Sequence, residues 1–331
     1  MVVKSQIKLV KSLQQKKYRN QEGLFVAEGV KLVRELLESH FTARHIFTTD
    51  VSLLKGFLKE KDKKDGNPNE QDKYLNYKDD HSEEQDGQDG QDEPSDEKDG
   101  RLENREANSG KIELVSESEL RKMSGLTTPN IVIGVFEIAA ASRPDASDWI
   151  LALDDVRDPG NLGTIIRLCD WFGIEHLVCS LETVDCYNPK VLQATMGSIA
   201  RVKVGYTDLE DFLGTTELPI FGAFMDGEAV HSTALPEKGI LVMGNESHGI
   251  SPKVERLVSE KISIPQPAGG KQGSREGTVE GSEIHPAKGS KEKSAEGSGE
   301  ITVESSGKRT AESLNVATAT AILLHEIRRA R

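Results

Sequence analysis

Cysteine is scarce and odd in number: Cys169, Cys179 and Cys186 are the only three, each in or beside an apolar stretch. That excludes a disulfide framework and reads as buried thiols in a reducing compartment. No Cys and His stand at zinc-ligand spacing, so no metal site is expected. No uninterrupted apolar run reaches the length of a membrane span, and no charged-then-apolar leader opens the chain. The expectation is a soluble, cytoplasmic protein without a membrane partner. No Gly-x-Gly-x-x-Gly follows any predicted strand, which argues against a dinucleotide oxidoreductase on an open sheet.

What is present is 331 residues, enough for two domains with cores of their own, and a net charge of -13. The charge is unevenly spread. Residues 1–59 carry 11 Lys and Arg against 5 Asp and Glu, whereas residues 60–111 carry 9 against 18. Local charge decides where phosphate can bind, so an acidic total does not exclude a nucleic-acid partner. Lys4, Lys8, Lys11, Lys16, Lys17 and Arg19 alternate with Ile7, Val10 and Leu13 at helical spacing. This predicts a helix over 4–17 with a basic face. Lys8, Lys11, Lys16 and Arg19 are its candidate RNA contacts, the alternative being a solvated helix surface.

Two tracts interrupt the pattern. Residues 60–111, with Gln-Asp-Gly repeats, and residues 267–312, rich in Gly, Ser, Glu and Lys, hold too few apolar residues to build a core and read as disordered inserts. Around the first, strands at 24–28, 44–48, 112–115 and 131–138 alternate with helices at 30–37, 53–58 and 117–123. This is a small α/β domain over 1–140. Residues 139–148 are small and polar, and a second α/β domain is expected over 141–331.

That second domain is organised by residues 149–180. The apolar run Ile150–Leu153 predicts a buried strand, and Asp-Pro-Gly-Asn at 158–161 punctuates it. Asn161 is predicted to cap a helix whose inner face is Leu162, Ile165, Ile166 and Cys169. Gly173 ends that helix, and His176–Cys179 begins a second strand. A strand–helix–strand unit of this kind implies a parallel sheet, and in such sheets ligands sit outside the carboxyl ends of the strands. Asn161 and Arg167 therefore face a candidate site, although a capping Asn and a surface Arg explain this unit equally well. Further on, Asn188-Pro189 starts a helix running to about 200. Strands follow near 202–204, 220–224, 240–243 and 262–265, and an amphipathic helix closes the chain with Val316, Ala319, Leu323, Leu324 and Ile327 as its stripe.

Three polar blocks thus stand at strand ends of one sheet. They are Asn161-x-Gly163-x-x-x-Arg167, Gly244-Asn245-Glu246-x-x-Gly249, and Ile264-Pro265 continuing at Ser313-Leu314-Asn315-Val316-Ala317. Together they resemble the three signature motifs of the SpoU (TrmH-type) RNA ribose 2′-O-methyltransferases of the SPOUT superfamily, over about 149–331. Phe25-Val26-Ala27-Glu28-Gly29 is similar to the L30e-like substrate-binding domain that many members carry.

The resemblance implies a deep trefoil knot, a homodimer, S-adenosylmethionine as cofactor and a structured RNA, rRNA or tRNA, as substrate. It places Arg167 beside the target hydroxyl. A guanidinium hardly deprotonates, so the role that suits Arg167 is to stabilise a developing alkoxide, not to act as a free base. Asn161 and Glu246 would orient Arg167 and the ribose, and Ser313 and Asn315 would hold the third loop. Gly244, Asn245 and Gly249 would approach the adenine, offering backbone N–H and C=O groups to its edge. Ile264, Pro265 and Leu314 would line the cofactor pocket, with plain core packing as the alternative for Ile264 and Leu314. The third block is split by the 267–312 insert. The competing class is a non-catalytic RNA-binding homologue of the same fold.

Overall fold

The computed structural model describes residues 3–57, 111–140, 144–266 and 313–329. The two predicted inserts lie outside the described residues, apart from Lys111. Residues 1–264 and 315–331 form one compact unit; 265–314 separate as a second, of which Pro265, Gln266, Ser313 and Leu314 are described, all four exposed.

The chain begins with two short helices, α1 (Lys4–Ser12) and α2 (Lys16–Glu22), where one helix was predicted. A four-stranded mixed sheet follows, from β1 (Leu24–Glu28), β2 (Ala43–Thr48), β3 (Lys111–Leu114) and β4 (Val132–Glu137), in the order β1-β4-β2-β3. Helices α3 (Val30–Leu37) and α4 (Glu117–Met123) flank it. Ser116 begins α4 with a capping box: its side chain accepts from the Glu119 N–H, and the Glu119 carboxylate accepts from the Ser116 N–H.

The second sheet has six strands, all parallel: β5 (Ile150–Leu153), β6 (His176–Ser180), β7 (Lys203–Thr207), β8 (Ile220–Ala229), β9 (Ile240–Met243) and β10 (Glu260–Ser263). Their order is β10-β8-β9-β5-β6-β7. The central strands β5, β6 and β9 are buried along their whole length, as parallel strands covered on both faces must be. From β5 the chain moves outward to β6 and β7 on one side and later fills the other. The boundary between β5 and β9 is therefore the switch point where a crevice opens at the carboxyl ends.

Helices α5 (Pro159–Phe172), α6 (Pro189–Thr195), α7 (Leu209–Gly214), α8 (Pro252–Glu255) and α9 (Val316–Arg329) connect and cover the strands. Leu162, Ile165, Ile166 and Cys169 of α5 are buried as the periodicity predicts, and Gly173 follows its end. Gly163 permits the close packing of α5 on α6: a Cβ there would lie 2.4 Å from the Ala194 Cβ. The predicted helix over 189–200 breaks after Thr195, because Met196 and Gly197 both adopt positive φ. One hydrophobic cluster runs from Phe25 and Phe136 of the first sheet, with Leu36 and Phe41 beside it, to Leu151 of the second, with Ile165 and Ile199 on its covering elements, so the two sheets share a core.

Candidate active site

The site is built at the β5–β9 switch point. Asp158 caps α5, its Oδ1 accepting from the Asn161 N–H at 2.8 Å, with Pro159 at the first helical position. Asn161 is thus three residues inside the cap, not the cap itself. Proline needs no N–H partner and has a helical φ already, which fixes the boundary one turn earlier than predicted. With Asp158 as the cap, the Asn161 side chain is free for the site.

Asn315 holds the far side. Its Oδ1 accepts from the N–H groups of Ala317 at 2.9 Å and Thr318 at 3.3 Å, so it caps α9. A capping oxygen fixes which end of the amide points outward. Asn315 Nδ2 must then donate, and it does, to Asn161 Oδ1 at 2.9 Å. That in turn fixes Asn161, whose Nδ2 donates to Glu246 Oε1 at 2.8 Å. One residue from each of the three blocks therefore joins a relay with a single direction, from the helix cap to a carboxylate. Glu246 Oε2 has no partner among the described residues.

The 244–251 loop after β9 is shaped by its own groups. Asn245 and Gly249 exchange both backbone hydrogen bonds at 2.9 Å. Asn245 Oδ1 accepts from the N–H groups of Ser247 at 2.8 Å and His248 at 3.2 Å, while Nδ2 donates to the Asp155 carbonyl at 2.7 Å. The Gly249 N–H is consequently engaged within the loop, its C=O keeps one lone pair, and the Asn245 side chain is committed to the loop and to Asp155. Gly249 has φ +70°, with open space where a Cβ would project. A Cβ on Gly244 would lie 2.2 Å from the Gly249 carbonyl carbon. Gly244 is required by this close approach, and Gly249 is favoured by its positive φ.

Arg167 is exposed on α5 and makes no hydrogen bond or ion pair with a described residue. The fold leaves it outside the Asn315–Asn161–Glu246 relay. Ile264, just after β10, is half-buried and packs on the main core. Pro265, Ser313 and Leu314 belong to the second unit. Lys8, Lys11 and Lys16 are exposed, but Arg19 is not: it is 2% exposed and ion-paired with Asp185, which removes it from the basic face. A periodicity argument sees a polar side chain and cannot see a partner 166 residues away.

The sequence reading also missed the support beneath the site. Asp154 is buried, and its Oδ2 accepts from the Ser251 N–H at 2.7 Å, tying the β9 loop to β5. Asp155 has φ 60°. Its N–H donates to Ser180 Oγ at 3.0 Å, and its Oδ1 accepts from Arg157 Nε at 2.7 Å. An Asp pair directly after an apolar strand was the available signal. A cavity of about 150 Å³, lined by residues including His40, Phe41, Tyr187 and Val202, lies at the seam between the sheets. None of its lining residues belongs to the three blocks. Among the described residues there is no group of three or more His, Cys, Asp or Glu placed for a metal, and no helix long and apolar enough to cross a membrane.

A parallel sheet with its polar loops gathered at the switch point, after a small mixed-sheet domain, defines a two-domain α/β protein with a site at the carboxyl ends of its strands. Comparison with known proteins agrees. Residues 148–271 match the SpoU rRNA Methylase family, and residues 4–71 match the MRM3-like substrate binding domain. A Porphyromonas gingivalis structure assigned as an RNA methyltransferase of the TrmH family is 30% identical, with all of both chains covered and a TM-score of 0.67. An AdoMet-bound rRNA methyltransferase from Sinorhizobium meliloti, 23% identical, shares the fold with a TM-score of 0.65 over 99% of this chain and 96% of that one. The 23S rRNA (guanosine(2553)-2′-O)-methyltransferase RlmP of Bacillus subtilis is 26% identical over 156 residues, 46% of this chain and 62% of that protein. That match spans less than two thirds of the relative's own length. The chain belongs to the SpoU (TrmH-type) family of the SPOUT superfamily.

Proposed function

We propose that this protein transfers a methyl group from S-adenosylmethionine to a ribose 2′-hydroxyl of rRNA or tRNA. The observation that carries the proposal is the relay from Asn315 through Asn161 to Glu246, because it joins the three blocks in one directed set of hydrogen bonds. The residues suit the cofactor. Open space beside Gly249 allows a flat ring close to the backbone, and half-buried Ile264 offers apolar contact. When bound, S-adenosylmethionine supplies an electrophilic methyl group on a sulfonium centre.

The chain's own residues supply orientation and charge. Glu246, held through Oε1 by Asn161, has Oε2 available to accept a hydrogen bond from the ribose hydroxyl and so aim its oxygen lone pair. Arg167, a permanent cation with no carboxylate partner among the described residues, stabilises the oxygen as negative charge develops on it. Lys8, Lys11 and Lys16 bind RNA phosphates.

The finer architecture is proposed with it. The 244–251 and 315–329 segments both return to the 154–163 segment, which is how a trefoil knot would be threaded, and the first sheet is the L30e-like domain. Trp171 is 83% exposed and Ile322 36% exposed, on the mutually packed helices α5 and α9. These apolar side chains support a homodimer through that face. Incubating the protein with methyl-labelled S-adenosylmethionine and unmodified rRNA and tRNA transcripts, then mapping 2′-O-methyl positions, tests the function. Label on a base, or cofactor binding with no transfer to any RNA, would leave a non-catalytic or differently acting homologue instead.

A further inference from the structure

One junction in the first domain reaches the loops that this reaction needs. Arg19, midway along α2, is a buried guanidinium. Its Nε donates to Asp185 Oδ2 at 3.0 Å, its Nη2 pairs with the same oxygen, and its Nη1 donates to the carbonyls of Leu13 at 2.9 Å and Gln14 at 3.0 Å. Asp185 Oδ1 accepts from the Tyr187 N–H at 3.0 Å, and the Tyr187 ring lies 4.5 Å from that of Phe25. Asp185 thus stands between the sheets with both carboxylate oxygens engaged.

The loop that carries Asp185 grips the catalytic segment from its other side. Thr183 Oγ1 donates to the Leu153 carbonyl at 3.3 Å, and the Val184 N–H donates to the Val156 carbonyl at 3.0 Å. Ser180 receives the Asp155 N–H, and the Asp155 carbonyl receives Asn245 Nδ2. The Tyr206 hydroxyl donates to the Val184 carbonyl at 2.6 Å and accepts from the Cys186 N–H at 2.7 Å. An unbroken series of contacts therefore runs from Arg19 to the loop that presents Glu246.

We propose that Arg19 and Asp185 are positioning residues for methyl transfer, resting on the function proposed above. Their ion pair sets the 181–188 loop, and through it holds Asp155 and the 244–251 loop in the arrangement that binds S-adenosylmethionine. The physical reason is the burial of the pair. Without its guanidinium, Asp185 is a poorly solvated lone charge that turns toward water and draws its loop with it. The first domain is then more than a platform for RNA: where it docks determines how the cofactor loop is held.

The test uses the full chain with Arg19→Ala, the milder Arg19→Lys, which keeps the charge but not the planar fork, and Gln21→Ala as an exposed control on the same helix. Amide hydrogen exchange is followed at 184–186, at Asp155 and at 245–249, and S-adenosylmethionine affinity is measured by calorimetry. Faster exchange in all three stretches is expected, larger for Arg19→Ala than for Arg19→Lys. Cofactor binding should weaken by about fivefold or more, with the control matching wild type. Exchange changes confined to residues 13–23, or wild-type affinity in a folded Arg19 variant, would overturn the proposal. If Arg19→Ala does not fold, Arg19→Lys decides by the same two measurements. A wild-type protein that binds no S-adenosylmethionine would sink the proposed function, while the exchange pattern would still decide the positioning.

Discussion

Asn315 performs two jobs with opposite ends of one amide, and substitution can separate them. Its oxygen caps α9 and its nitrogen orients Asn161. Asn315→Ala removes both. Loss of the cap costs about 1 kcal/mol, which lowers the melting temperature by about 2–4 °C in a domain of this size. Asn315→Asp keeps the cap, because a carboxylate at a helix amino terminus is favourable, but it has no donor for Asn161. The Asn161 amide nitrogen can then serve the new carboxylate or Glu246 but not both with the present geometry, and when it turns to residue 315 its oxygen faces the Glu246 carboxylate, which has no hydrogen to give, so the relay breaks. A hydrogen bond to a charged group is worth about 1.5–3 kcal/mol, so methyl transfer should fall roughly 10- to 100-fold. Thermal denaturation and an initial-rate assay with labelled cofactor are the measurements. The expected pattern is a stable, slow Asn315→Asp protein beside a less stable, slow Asn315→Ala protein. Wild-type rates from Asn315→Asp would refute the claim that the direction of the amides matters.

Arg167→Ala should lower the transfer rate by roughly 10²- to 10³-fold, the usual effect of removing a donor to a developing oxyanion, with S-adenosylmethionine affinity retained in a calorimetric titration. An equal loss of affinity would move Arg167 to the cofactor. Replacing Lys8, Lys11 and Lys16 together by Gln should flatten the salt dependence of RNA binding, the log–log slope falling by about 2–3; an unchanged slope places the phosphates elsewhere. Burial pushes all three thiols well above their ordinary pKa. They therefore stay protonated at pH 8, and a disulfide reagent should label none of Cys169, Cys179 and Cys186 until denaturant is added.

The strands were legible wherever apolar runs were bounded by turn residues, as at Ile150–Leu153 and Ile240–Met243, and so were helix ends marked by Gly173 and by Asn188-Pro189. Errors arose where two local signals competed. Asp158 and Asn161 are both good caps, and only the proline between them decides. Gly197 was a visible breaker, but the positive φ of Met196 has no sequence signature. The three blocks were legible as blocks. Which amide end faces which partner was not, since the Asn315 cap that dictates it becomes meaningful only once α9 lies beside Asn161. Arg19 shows the same limit: its burial depends on Asp185, far along the chain.

The relay also has a consequence for how the molecule comes into being. Its members are separated by 85 and 154 positions, and the sheet beneath them is wholly parallel, so no hairpin shortens any of its pairings. Contacts of such long range form late, because the entropy of closing the intervening chain is lost before they can repay it. With α9 undocked, Asn161 has no fixed amide and Glu246 no guide. Methyl transfer is therefore expected to fall with the first local opening of α9. An assay of methyl transfer is then expected to read, in effect, whether α9 is seated.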